Sequence, residues 1–228
     1  MFVCLLTGTA TERTEMNDST EKKIRELGII PVVVLSDADR AVPLAKALID
    51  GGLPCAEVTF RTVAAEESIR RIVEAFPAML VGAGTVLTTE QADRALRAGA
   101  RFIVSPGFDA ELVDYCLARD VPVFPGCATP TEIMSAVKRG LGVVKLFPAQ
   151  QLGGVSAVKA LGAPFPGLSF IPTGGVDAKN LSEYLANGKV AACGGSWMVK
   201  SSLIDEGDFA SIEEQTREAC ALVKSVRG

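Results

Sequence analysis

Histidine does not occur anywhere in the 228 residues. Imidazole is the commonest metal ligand and the usual general base near neutrality, so its absence removes a Ser-His-Asp triad, a Cys-His pair and any His-ligated zinc. Paired cysteines are missing as well. Cys4, Cys55, Cys116, Cys127, Cys193 and Cys220 never fall as Cys-x-x-Cys, the spacing of zinc and redox motifs. Basic charge is not in excess, since 23 Lys and Arg against 27 Asp and Glu leave a net −4, and the isoelectric point lies near 5.1. Nucleic acid and anionic membrane therefore find no field to hold them. Long apolar runs are lacking too. The opening patch at residues 2–6 has no basic residue before it and is too short for a signal segment or a membrane span. Cysteines set in stretches such as Val190-Ala191-Ala192-Cys193 behave as small hydrophobes, which predicts reduced thiols in the cytoplasm.

What is present is apolar and rhythmic. Hydrophobic residues make up 48% of the chain, enough for one large core without staples. A short leading helix is predicted over 20–27, with Asp18 and Ser19 as candidate caps and Gly28 as the stop. From residue 29 a β-α beat begins: the β-branched run Ile29-Ile30-Pro31-Val32-Val33-Val34-Leu35 precedes helical periodicity over 38–49. Further strands are predicted near 56–60, 80–84, 102–105, 121–125, 143–147, 169–173 and 190–194. Helices fill the intervals near 64–75, 88–98, 109–118, 130–139, 153–161, 178–186 and 208–225. Strands apolar on both faces argue for a parallel sheet covered by helices. The eight-fold beat predicts an α/β fold, a single (β/α)8 TIM barrel over 16–228. A doubly wound open sheet is the alternative, but no Gly-x-Gly-x-x-Gly opens a helix after the first strand. Residues 1–15 carry no periodic apolar face and read as a dispensable extension ahead of Met16.

In such a barrel the site lies where the strands end, so polar residues at strand ends are the candidates. In the second strand a period of two puts Glu57, Thr59 and Arg61 on one face. Glu57 and Arg61 could simply satisfy each other as a strand-end ion pair. The sixth strand carries Lys145 between Val143-Val144 and Leu146-Phe147, so its ammonium either snorkels to water or is held in a poorly hydrated pocket. Burial there disfavours the charged form, which suits an amine nucleophile. With a carboxylate at another strand end and no histidine to compete, Schiff-base chemistry at Lys145 is the better assignment. Gly174-Gly175 follows the seventh strand and Gly194-Gly195-Ser196 the eighth. These loops either make tight turns or cradle an anion, and their joint position at the recurrent phosphate site of this barrel favours a phosphate.

Together, Glu57-Val58-Thr59-Phe60-Arg61-Thr62, Val81-Gly82-Ala83-Gly84-Thr85, Ser105-Pro106-Gly107, Lys145-Leu146-Phe147-Pro148-Ala149, Pro172-Thr173-Gly174-Gly175 and Gly194-Gly195-Ser196-Trp197 resemble the bacterial 2-keto-3-deoxy-6-phosphogluconate aldolase family, which also embraces 4-hydroxy-2-oxoglutarate aldolases. The resemblance implies a class I aldolase that uses no metal or other cofactor. It implies Lys145 as the imine-forming nucleophile and Glu57 as the general acid/base. Arg61 and Thr85 would hold the α-keto carboxylate, and Pro106 and Phe147 would wall the pyruvate pocket. Gly174, Gly175, Gly195 and Ser196 would bind the phosphate. It further implies a small keto-acid substrate and a homotrimer. Members of that family commonly carry a basic residue after the first strand, whereas this chain has Ser36-Asp37-Ala38-Asp39-Arg40. Two acids there oppose a distal phosphate unless Arg40 swings in. Two other functions use some of the same residues: a phosphosugar isomerase or epimerase, and a non-catalytic phosphate-ligand sensor. Neither has a chemical need for Lys145.

Overall fold

The structure, a computed structural model, describes the backbone of residues 10–228 and the side chains of residues 19–228. Eight short strands run parallel: β1 (Ile29–Val33), β2 (Cys55–Thr59), β3 (Leu80–Gly84), β4 (Ile103–Val104), β5 (Val123–Phe124), β6 (Val143–Leu146), β7 (Ser169–Pro172) and β8 (Cys193–Gly195). The helices are α1 (Ala10–Leu27), α2 (Ala41–Asp50), α3 (Ala65–Ala75), α4 (Thr89–Arg97), α5 (Ala110–Leu117), α6 (Pro130–Lys138), α7 (Gly154–Gly162), α8 (Leu181–Leu185), α9 (Ser201–Glu206) and α10 (Phe209–Arg227). Their starts follow local chemistry. Thr88 accepts from the Gln91 amide at 3.2 Å ahead of α4 and Asp109 from the Leu112 amide at 2.8 Å ahead of α5. Thr129 and Glu132 form a reciprocal capping box behind Pro130.

All strand residues except Ser169 are buried, as expected of a parallel sheet covered on both faces. Alternate side chains feed two cores. Val33, Val58, Val81, Ile103 and Val144 pack outward under the helices. Ile30, Cys55, Leu80, Phe102, Phe124, Val143 and Ile171 gather inward, and Ile24 of α1 joins them at the N-terminal ends of the strands. Phe102 and Phe124 meet edge-on at 5.9 Å. Gly82 leaves them room, since a Cβ there would lie 2.3 Å from the Phe102 ring.

The expected single closed ladder is not what the regular pairing forms. One sheet has the order β5-β4-β3-β2-β1-β8, and β6 pairs with β7 alone. Isolated bridges at Gly126–Lys145, Phe170–Val190 and Thr173–Gly194 span the gaps. The reasons are local. Pro125 has no amide hydrogen to extend β5 toward β6. Between β7 and β8, Phe170 to Thr173 is three steps while Val190 to Gly194 is four, so one extra residue interrupts the ladder as a bulge does.

Two further expectations need correction. The first helix begins at Ala10 rather than near residue 20, and Asp18 and Ser19 lie within it instead of capping it. The stretch between offers good helix formers and no glycine or proline to stop it. Residues 10–15 of the predicted extension thus belong to α1, and residues 1–9 lie outside the described residues. The second correction is α9, closed by Gly207 at φ 76°, which the sequence reading passes over. Among the described residues no helix is long and apolar enough to cross a membrane. Cys55, Cys116, Cys127, Cys193 and Cys220 are free thiols. Burial pushes Cys116, Cys127 and Cys193 up to about 12, so they remain protonated at neutral pH.

Candidate active site

Above the inner apolar cluster the strands change character. Glu57 of β2 and Lys145 of β6 are 2% and 5% exposed, and the Lys145 ammonium donates to Glu57 Oε1 at 3.4 Å. Removing either partner would strand a buried charge, so each side chain holds the other in place. The carboxylate has its space because β3 ends in glycine: a Cβ on Gly84 would lie 2.1 Å from Glu57 Oε1. The Lys145 ammonium also lies 5.6 Å from the centre of the Phe147 ring. The expected one-face arrangement of β2 holds only partly. Thr59 is buried and donates to the Val33 carbonyl at 2.9 Å, whereas Arg61 has passed the strand end and is exposed.

Arg61 Nε donates to Thr85 Oγ1 at 3.2 Å. Thr85 sits at φ 54°, a left-handed conformation that costs a β-branched residue about 1–3 kcal/mol. That position aims its hydroxyl beside the guanidinium. Pro106 lies next to the Lys145 strand: a Cβ on Gly126 would meet the Pro106 carbonyl at 2.0 Å, and Gly126 bridges to Lys145.

A cavity of about 580 Å³ opens at the C-terminal ends of the strands. Of the residues singled out in the sequence, Arg61, Phe147, Gly174, Gly175, Gly195 and Ser196 line it. Lys145, Glu57, Thr85 and Pro106 are not among the lining residues: Thr85 adjoins Arg61 and Lys145 adjoins Phe147, while Glu57 and Pro106 sit beside Lys145. Gly174 and Gly175 have φ 94° and 75°, which accounts for glycine at both. The N–H groups of Gly175 and Ser196 donate to no protein acceptor among the described residues. The Trp197 ring covers Gly195, where a Cβ would fall 2.0 Å from it.

Val32, Val34, Trp197 and Lys200 also line the cavity, beyond the residues expected from the sequence. For the two valines the signal was available, since both lie on the inward face of the first apolar run. Lys200 required the turn over Trp197–Val199 and α9 behind it, and neither was foreseen. The strand-one loop also turns out differently. Asp37 accepts from the Asp39 amide at 2.9 Å, Asp39 pairs with Arg71, and Arg40 donates to the Asp205 carbonyl at 3.3 Å. None of the three lines the cavity, so the acids are tied up locally and Arg40 does not swing in. Among the described residues no group of three or more Cys, Asp or Glu gathers as a metal site.

A family model described as KDPG and KHG aldolase matches residues 20–215. The 2-dehydro-3-deoxy-phosphogluconate aldolase of Treponema pallidum is 48% identical over 200 residues, covering 88% of this chain and 95% of that one. The enzyme of the same name from Haemophilus influenzae is 42% identical, covering 89% and 96%. Among solved structures, KDPG aldolase from Legionella pneumophila, with pyruvate captured at low pH as a covalent carbinolamine intermediate, superimposes with a TM-score of 0.84. It is 38% identical and covers 87% of this chain and 96% of its own.

Proposed function

The chain belongs to the KDPG and KHG aldolase family, and from that premise we propose how its residues perform the cleavage. It is an aldolase, a lyase that splits 2-keto-3-deoxy-6-phosphogluconate into pyruvate and glyceraldehyde 3-phosphate. The observation that carries the residue assignment is the buried Lys145–Glu57 contact of 3.4 Å beside the strand-end cavity.

Lys145 supplies the nucleophile. Transfer of its proton to Glu57 frees the amine, which attacks the C2 carbonyl to give a carbinolamine. Loss of water, with Glu57 returning the proton to the departing hydroxyl, leaves a protonated imine. Glu57 then takes the proton of the C4 hydroxyl. The electrons of the C3–C4 bond flow into the imine, which becomes an enamine as the aldehyde departs. Protonation of C3 by Glu57 and addition of water release pyruvate and restore the lysine. Every proton has a donor and an acceptor within this pair and water, so the scheme calls on no metal. Arg61 and Thr85 hold the C1 carboxylate, for which the guanidinium fork is well shaped, and Pro106 and Phe147 bound the pyruvate end. The N–H groups around Gly174, Gly175, Gly195 and Ser196 take the phosphate. 4-Hydroxy-2-oxoglutarate is a second substrate of the same chemistry. The three isolated bridges support reading the eight strands as one closed barrel. The homotrimer implied by the family is retained, and sedimentation as a stable monomer at micromolar concentration would overturn it.

Borohydride should reduce the pyruvate imine at Lys145 to a stable 1-carboxyethyl adduct and inactivate the enzyme, while chelators leave the rate unchanged. Peptide mapping reads the site. An adduct on another lysine, or activity lost to chelator and restored by a divalent metal, would refute the assignment.

A further inference from the structure

Among the described residues only three charged side chains line the strand-end cavity, Arg61, Asp177 and Lys200, and they are unequally occupied. Arg61 is engaged with Thr85 at 3.2 Å. Asp177 folds back on its own loop, its Oδ1 accepting from the amides of Lys179 at 2.8 Å and Asn180 at 3.3 Å. Lys200 is exposed, and among the described residues its ammonium has no hydrogen bond or ion pair. Its neighbours Val199 and Ser201 line the cavity on either side of it, as do Gly174, Gly175, Gly195 and Ser196. The strand-one loop offers no competing cation, because Arg40 is held by the Asp205 carbonyl.

We propose that Lys200 reads the charge at the far end of the substrate, supplying from the segment after β8 the side-chain cation that the segment after β1 lacks. The inference rests on the aldolase function above, whose substrate is anionic at both ends. The cavity then carries one cation for each end: a planar guanidinium on the carboxylate and a mobile ammonium on the distal group. An ammonium on a four-carbon stem acts as a point charge that follows its partner, so Lys200 complements the fixed N–H donors of the glycine loops and serves binding rather than bond cleavage.

The test compares full-length wild type with Lys200→Met and Lys200→Arg in three assays: cleavage of 2-keto-3-deoxy-6-phosphogluconate, competitive inhibition by inorganic phosphate, and borohydride trapping with pyruvate, which has no distal anion. In Lys200→Met the KM and the phosphate inhibition constant should both rise roughly tenfold, as for loss of one charge-assisted contact. In the same variant kcat and pyruvate trapping should stay within about twofold, while Lys200→Arg recovers most of the loss. KM and phosphate inhibition both unchanged in Lys200→Met would overturn the proposal. Pyruvate trapping slowed in step with cleavage would overturn it too, by showing a general disturbance of the site. Failure of trapping in wild type would instead overturn the aldolase scheme on which it rests.

Discussion

The lower and upper halves of the strand interior are built by the same strands and do opposite things. Below, Ile30, Cys55, Leu80, Phe102, Phe124, Val143 and Ile171 close on Ile24 as one apolar cluster. Two residues further along β2 and β6, Cys55 gives way to Glu57 and Val143 to Lys145, and the position facing the Glu57 carboxylate is Gly84, which has no side chain to meet it. The lower half gains stability from burying apolar area at about 25 cal/mol per Å². The upper half surrenders part of that gain, since a buried ion pair is often no better than the apolar residues it replaces. Folding and chemistry are thereby separated by one turn of the strand pleat, in the order expected of enzymes with sites at strand C-termini.

That separation can be broken from either side. The largest effect expected is on rate: Lys145→Met should lower kcat/KM by roughly 10⁴-fold or more and abolish pyruvate trapping. Next, Phe102→Ala opens the lower cluster and should cost about 3–5 kcal/mol in denaturant unfolding, with kcat per folded molecule nearly unchanged. A smaller effect tests the seam between the halves. Gly84→Ala drives a methyl group into the Glu57 carboxylate, and a shift of about 1 Å there should lower kcat roughly 100-fold with much less loss of stability than Phe102→Ala. Least of all, a chain beginning at Met16 keeps Ile24 on the lower cluster and should match the full chain in melting temperature and activity. A clear loss of either would show that residues 1–15 contribute to the fold.

How much of this could be seen in the sequence depended on range. The bounds of β3 match the expectation, and the caps at Thr88, Asp109 and Thr129 follow from neighbours three residues apart. Strand chemistry at Glu57 and Lys145 was visible because charge inside an apolar run is anomalous. Their contact was not, being set by the curl of a sheet across 88 positions. β4 and β5 contract to two residues each because apolar pattern reports burial, whereas ladder length depends on amide donors. Lys200 stayed hidden because nothing in its own neighbourhood distinguishes a cavity-lining lysine from a solvated one.

The sparse join between β5 and β6 gives the proposed nucleophile an unusual mechanical position. Lys145 donates its amide to the Pro125 carbonyl at 3.0 Å and accepts from the Cys127 amide at 2.8 Å. On its other side it pairs with Ile171 of β7. The residue proposed to form the covalent bond to substrate is thus also the rivet of the seam, and any breathing of the sheet along that line displaces the amine. Hydrogen exchange at the Lys145 and Cys127 amides would therefore clock how often the catalytic geometry is lost in the native state.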